Sequence, residues 1–233
     1  MDSLRPSSRL ASSGSSVDPL RASRSAARRR LELVARGGAD FARLSYSDAV
    51  RLLGASGHAF RLPPPRWGQG LANEHERWLA EHHCGGAPVF VTDYPAAIKP
   101  FYMRGDGGGS GDGGCGERAT VEAFDLLVPG IGELAGGSAR EERLEVLAPR
   151  MRALGLLSPA YCEAMDAAPH AAASPPAEAE SRFLDWYLDL RKFGGAPHAG
   201  FGLGFERLVM FATGVENARD AIAVPRVPGS CRM

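Results

Sequence analysis

In HAGFGLGFERLVMFATG, residues 198–214, three glycines at alternate positions lead into an acid–base pair. Gly200, Gly202 and Gly204 remove every second side chain around Phe201 and Leu203. That weakens a strand and marks a place where something must approach the backbone closely. The spacing is GxGxG and not the GxGxxG dinucleotide fingerprint. Only about thirty residues follow, too few for the crossover, second strand and distal acid that such a unit needs. A strand of this kind instead offers a face without side chains, on which a planar ring can lie. A helix opening at Phe205 sets Arg207 in its first turn beside that face. There a permanent charge, a fork of donors and a flat guanidinium suit a base and a phosphate. Spacing alone fits equally well a glycine-bearing core strand with a surface Glu206–Arg207 pair.

Other candidate chemistry is weaker. His82, His83 and Cys84, with His75 earlier on the same segment, invite a metal cluster, but the ligand spacing of a structural zinc site is missing and a polar helix end accounts for them. GDGGGSGDGGCG, residues 105–116, contains no GxxxxGK[ST] pattern, so it reads as a flexible hairpin tip and not as a phosphate-binding loop.

The elements that must position these groups follow from periodicity and turn chemistry. SYSDAVRLLG predicts a helix with Ser45 as N-cap and Ala49, Leu52 and Leu53 on one face. LANEHERWLAEHH predicts a second helix, APVFVTDYP a buried strand and KPFYMR another strand. TVEAFDLLV, Pro129-Gly130 and IGELAGG read as strand, turn and returning strand. Ser138 and Glu141 form an S-x-x-E capping box for a helix carrying Leu144, Leu147, Met151 and Leu154. Residues 158–180 look like an Ala/Pro-rich insertion. RFLDWYLDLRKFG predicts a helix whose stripe is Phe183, Trp186, Tyr187 and Leu190. Leu208, Val209, Phe211 and Ala212 are expected to bury the helix after Gly204. Neighbouring strands joined by turns, with helices between the groups, indicate an α+β fold: an antiparallel sheet with helices packed on one face.

Composition excludes little. The chain has 233 residues, 44% of them hydrophobic, and 27 basic against 27 acidic residues, so net charge argues for neither nucleic acid nor membrane. Of the basic residues only Lys99 and Lys192 are lysine. Four scattered cysteines fit a reducing compartment, and no apolar run is long enough to span a bilayer. Residues 1–38 are rich in Ser and Arg and poor in acid, which predicts a disordered leader of transit-peptide composition or a solvated tail. Cytoplasmic and organellar (mitochondrion or chloroplast) locations are both compatible with it.

Four blocks in the same order carry a resemblance: SYSDAVRLL…WGQGLANEHERWLAEHH, VFVTDYPAAIKPFYMR, FDLLVPGIGELAGGSAREERLEVL and HAGFGLGFERLVMFATGVENARDAIAVPRVPGS. Together they resemble the asparaginyl-tRNA synthetases, the last block corresponding to motif 3. The resemblance implies the class II synthetase fold, an antiparallel sheet flanked by helices. It also implies ATP-dependent activation of asparagine and transfer to tRNA(Asn), with ATP and Mg2+ as cofactors and a homodimer as the family's assembly. On that resemblance Glu133 binds ATP and metal, and Gly136 is a further metal- and amino-acid-contacting position. Arg140 reaches the amino acid's side chain, and Gly204, Phe205, Glu206 and Arg207 form the ATP-binding run. Asp125, on the strand paired with that of Glu133, is added on geometry as a second carboxylate for the metal. The chemistry needs no protein nucleophile; it needs alignment, and positive charge where the transition state gains negative charge.

The departures are specific. Nothing here corresponds to the family's OB-fold or to its motifs 1 and 2, so the sheet is expected to be incomplete on its N-terminal side and residues 39–233 to be the C-terminal part of a catalytic domain. Ala139 stands where the family has glutamine. A truncated gene model, a split protein and a repurposed paralogue all fit. An archaeal-type aspartate–tRNA ligase, a noncatalytic nucleotide- or amino-acid-binding module and a synthetase-like amidotransferase are the competing functions.

Overall fold

The computed structural model describes residues 19–37, 41–106, 118–167, 183–226 and 228–229. Five strands form one sheet in the order β1-β2-β3-β4-β5: β1 Ala42–Ser45, β2 Val89–Pro95, β3 Thr120–Val128, β4 Gly132–Ala139 and β5 Ala199–Leu203. Pairing is antiparallel from β2 to β5, and β1 joins β2 in parallel at the edge. That edge strand went unread because its four residues, ARLS, are too few and too polar to show a period.

Period-two alternation along β3 separates two cores. Val121, Ala123 and Leu127 face α2 (Tyr46–Ala55) and the segment Leu79–His83, packing with Tyr46, Leu53, Leu79, Val89 and Val91. Leu126 and Val128 face the other way, toward Leu134, Phe211 of α7 (Phe205–Thr213) and Val34 of α1 (Pro19–Gly37). Helices therefore cover both faces of the sheet and not one. A third cluster joins α4 (Leu144–Ala153), α5 (Pro159–Ala167) and α6 (Asp185–Lys192) through Leu147, Met151, Tyr161 and Leu188.

Several sequence expectations are met locally. Ser45 caps α2 by accepting the Asp48 amide, and Gly214 ends α7 in the left-handed conformation at φ 79°. Others are corrected. Residues 19–37 are helical; Ala27 and Val34, one heptad apart, pack inward while Arg28 and Arg29 are exposed, so a composition poor in apolar residues still yields a docking face. Residues 1–18 lie outside the described residues, as do 107–117 of the glycine-rich loop and 168–182 of the insertion, whose first part forms α5. KPFYMR is turn with a single bridge, Met103 to Arg140, and a second bridge, Gly105 to Val121, follows it. The stripe of α6 is displaced: Leu188 is buried, whereas Trp186 is 59% exposed. In α7 only Phe211 is fully buried.

The Ser138–Glu141 capping box does not form. Ser138 lies within β4, paired with Ala123 and Gly200, and α4 opens at Leu144 from an Arg143 N-cap without a side-chain bond. Glu141 is instead fully buried, bound by Arg143 Nε at 2.7 Å and Nη2 at 2.9 Å, with Arg150 Nη1 at 3.8 Å. The same carboxylate accepts the Arg143 backbone amide at 3.3 Å, so it binds two cations and the residue before α4 from outside the helix.

Candidate functional site

The site is built on the β3–β4 hairpin. Across it Asp125 pairs with Gly136, Leu126 with Ala135 and Leu127 with Glu133, leaving Leu134 as a bulged extra residue. In an unbroken strand, positions 133 and 136 would face opposite ways; the bulge turns Glu133 to the side of Gly136 and Asp125. A Cβ built on Gly136 would stand 2.8 Å from Glu133 Oε1 and 2.9 Å from Asp125 Oδ1. The absent side chain thus leaves a cradle that two carboxylates face. Asp125 is further held by Lys99, Nζ to Oδ2 at 2.8 Å, and Lys99 also sits 3.8 Å over the Tyr94 ring. Burial, and next the Asp125 charge, push the Tyr94 hydroxyl far above its ordinary range, so it stays protonated and hydrogen-bonds Asp125.

Arg207 meets the same corner. Its Nη1 donates to the Glu133 carbonyl at 2.5 Å and lies 3.6 Å from Glu133 Oε2. Gly204, Phe205 and Glu206 lead into α7 on the exposed side, Phe205 with its ring out. Arg140 follows β4 at the end away from Glu133: its guanidinium stacks on Tyr102 with Cζ 4.6 Å from the ring centre.

The glycines of β5 separate by role. A Cβ on Gly200 would be 2.9 Å from Arg140 Nη2, and one on Gly204 would be 3.2 Å from Arg207 Cδ, so these two make room for the chain's own arginines. A Cβ on Gly202 would meet nothing within 4 Å. Only there does the strand present open floor, and β5 is the sheet's edge, with Phe201 73% exposed.

Four residues of this corner, Glu76, Lys99, Tyr94 and Tyr102, are not marked as site residues by the sequence. Glu76, on α3 (Asn73–Trp78), accepts the Glu133 amide at 2.9 Å. Burial pushes its carboxyl up; the nearby Glu133 and Asp125 charges add to this, while the Glu133 amide and Arg207 oppose it. The apolar residues of that helical segment, Trp78 and Leu79, mark a different side of it. Lys99 carried a signal, as one of two lysines in an arginine-rich chain. Tyr102 carried none. Among the described residues no group of three or more His, Cys, Asp or Glu could hold a metal by itself. The histidine cluster resolves as packing: buried His75 is satisfied by the Ala72 amide and the Leu62 carbonyl, and Trp78 stacks on His82. No described helix is long and apolar enough to cross a membrane.

A family model of class II tRNA synthetases (D, K and N) matches residues 21–228. An asparagine–tRNA ligase of Thermosynechococcus vestitus is 50% identical over 190 residues, covering 82% of this chain and 34% of the relative. The chain thus spans about a third of the length of the curated relatives it matches. Among solved structures, the asparaginyl-tRNA synthetase of Entamoeba histolytica in complex with asparaginyl-adenylate superposes with a TM-score of 0.64 at 28% identity, over 88% of this chain and 40% of that one. The Pyrococcus horikoshii asparaginyl-tRNA synthetase gives 0.62 at 32% identity, over 86% and 39%.

Proposed function

Because this chain belongs to the class II tRNA synthetases (D, K and N), we propose that it supplies the nucleotide- and amino-acid-binding part of an asparagine–tRNA ligase. One observation carries this reading: Glu133, brought by the bulge beside Gly136 and Asp125, meets Arg207 at 3.6 Å over a strand whose Gly202 faces open space. In this reading the adenine lies on the β5 floor with the Arg207 guanidinium against it, and Arg207 also meets phosphate charge. Arg140, fixed by Tyr102 and the Gly200 gap, donates to the amide oxygen of asparagine. The amino acid's carboxylate then attacks the α-phosphate of ATP, the bond to the β-phosphate breaks and pyrophosphate leaves; the 3′-terminal hydroxyl of tRNA(Asn) takes the asparaginyl group from the adenylate, and AMP leaves. The chain's part is alignment and charge.

Magnesium fits the donor set. Two carboxylate oxygens, from Asp125 and Glu133, face the Gly136 gap, which suits a cation that keeps waters and arrives on nucleotide phosphates and does not suit a full protein cage. When bound it neutralises phosphate oxygens. Gly136→Ala is expected to weaken Mg·ATP binding about tenfold or more while leaving the fold intact, because the new methyl displaces only the mobile ends of two carboxylates. Calorimetric titration with Mg·ATP, beside a thermal melt, checks this; an unchanged affinity would remove Gly136 and the two acids from the site.

The function itself is tested by a chimera. The 190 matched residues of the Thermosynechococcus vestitus ligase are replaced by those of this chain, and exchange of pyrophosphate into ATP is followed with asparagine or aspartate. Asparagine-dependent exchange is expected. Aspartate-dependent exchange would make the chain part of an aspartate enzyme. No exchange from a folded, Mg·ATP-binding chimera would leave it a noncatalytic module.

A further inference from the structure

The turn that joins β3 to β4 is gripped from one side by a single helical segment. Asn73 Nδ2 donates to the Ile131 carbonyl at 2.7 Å, Glu76 Oε2 accepts the Glu133 amide at 2.9 Å and Glu81 Oε1 accepts the Gly130 amide at 2.8 Å. Glu81 is five residues beyond Glu76, a spacing that a regular α-helix turns away. Here α3 widens into a π turn over Leu79–His83, closed by Cys84 N to Leu79 O at 3.0 Å, and both acids reach the same hairpin. Gly132 completes the fit: φ is 92°, and a Cβ there would lie 2.5 Å from Asn73 Nδ2 and 2.7 Å from Glu76 Oε2. No side chain larger than hydrogen lets this helix approach the turn so closely.

We propose that Glu76 is a positioning residue for the nucleotide site: by accepting the Glu133 amide it fixes the direction in which the Glu133 carboxylate leaves β4. The need arises from the bulge. Pairing with Leu127 puts Glu133 on the Gly136 face, but Leu134 interrupts the ladder next to it, and the Glu133 amide takes its partner from outside the sheet. Glu76 supplies the missing anchor from outside the sheet, as outer hydrogen bonds orient inner ligands elsewhere. It touches no reacting atom, and Asn73 and Glu81 hold the turn ahead of its bond, at Ile131 and Gly130. This role rests on the nucleotide reading of Glu133 and Arg207 given above.

The test uses the full chain with Glu76→Gln, which keeps an acceptor oxygen, and Glu76→Met, which is similar in volume and offers none. Amide hydrogen exchange at Glu133, Mg·ATP affinity by calorimetry and thermal midpoint are measured together. The Met variant is expected to lose protection at Glu133 and to bind Mg·ATP about tenfold more weakly, and the Gln variant to stay within about threefold of the parent on the same outer-bond argument. Equal losses in both variants would mean that the charge, and not the amide bond, is what matters, and would overturn the proposal. So would a Met variant that exposes the amide yet keeps full affinity. A parent chain that protects the Glu133 amide but binds no Mg·ATP would instead sink the nucleotide reading, and this role with it.

Discussion

Glu141→Ala is expected to lose about 3 to 5 kcal/mol of stability, the cost of stranding charge where a buried pair is broken by removing one partner. The carboxylate is fully buried and holds Arg143 through three bonds, two from the guanidinium and one from the amide, with Arg150 at 3.8 Å. Its backbone ties in two further elements: the amide donates to the Tyr102 carbonyl at 2.8 Å, and the carbonyl accepts Arg191 Nε at 3.2 Å. For a domain stabilised by about 5 to 15 kcal/mol, such a loss is a large share. Because Tyr102 carries the Arg140 guanidinium, disorder here also displaces the residue read as the amino acid's partner. Chemical denaturation gives the direct measurement. Glu141→Gln separates charge from shape, keeping the volume and one acceptor.

The pH dependence has a definite sign. Burial pushes the Glu141 carboxyl up, but the Arg143 hydrogen bonds and the Arg143 and Arg150 charges hold it below the usual carboxylate range. A depressed acid contributes stability that is fully present above its unfolded value, about 4.3 for glutamate, and that is lost as pH falls through the folded value. The parent chain is therefore expected to lose stability on acidification below about pH 4, and Glu141→Gln to show a flatter curve there. Parallel curves would place the acid sensitivity elsewhere.

Arg207→Ala is expected to do the reverse: little to stability, much to binding. The Arg207–Glu133 pair is substantially exposed, with side-chain exposures of 49% and 39%, and an exposed ion pair contributes at most about 1 kcal/mol. Mg·ATP affinity, in contrast, is expected to fall about 100-fold, equivalent to about 2.7 kcal/mol, as removing a charged hydrogen-bonding partner from a bound interface commonly costs. Arg207→Lys restores the charge without the planar fork, so it recovers only part of the loss. Titration of the three proteins with Mg·ATP decides the matter. An alanine variant within about threefold of the parent would show that Arg207 serves only its contact with the Glu133 carbonyl.

Much of this was legible in the residues alone. A short apolar run marked β2, runs joined by a Pro-Gly turn marked β3 and β4, and 3.6-residue spacing marked α2, α4 and α6, because burial selects apolar residues at the spacing of the backbone. The alternate glycines before Arg207 announced a place where the backbone is approached, and the order of four blocks pointed to the family. Other features depended on partners distant in sequence. Whether Glu141 caps a helix or fills a core depends on Arg143 and Arg150. Whether an Arg-rich segment solvates or docks depends on Phe211, almost two hundred residues on. The local pattern of α6 suggested a stripe that the tertiary packing displaced to Leu188.

The amino-acid sequence by itself determined which residue types this protein has for holding a nucleotide: two acids on one hairpin, an arginine at a helix start and a strand thinned to glycine. Only the tertiary structure decided which way they face. One extra residue, Leu134, reverses the parity of β4 and turns Glu133 toward Asp125. Side-chain direction in a strand depends on register, register is set by pairing across the sheet, and no local stretch of chain encodes it alone.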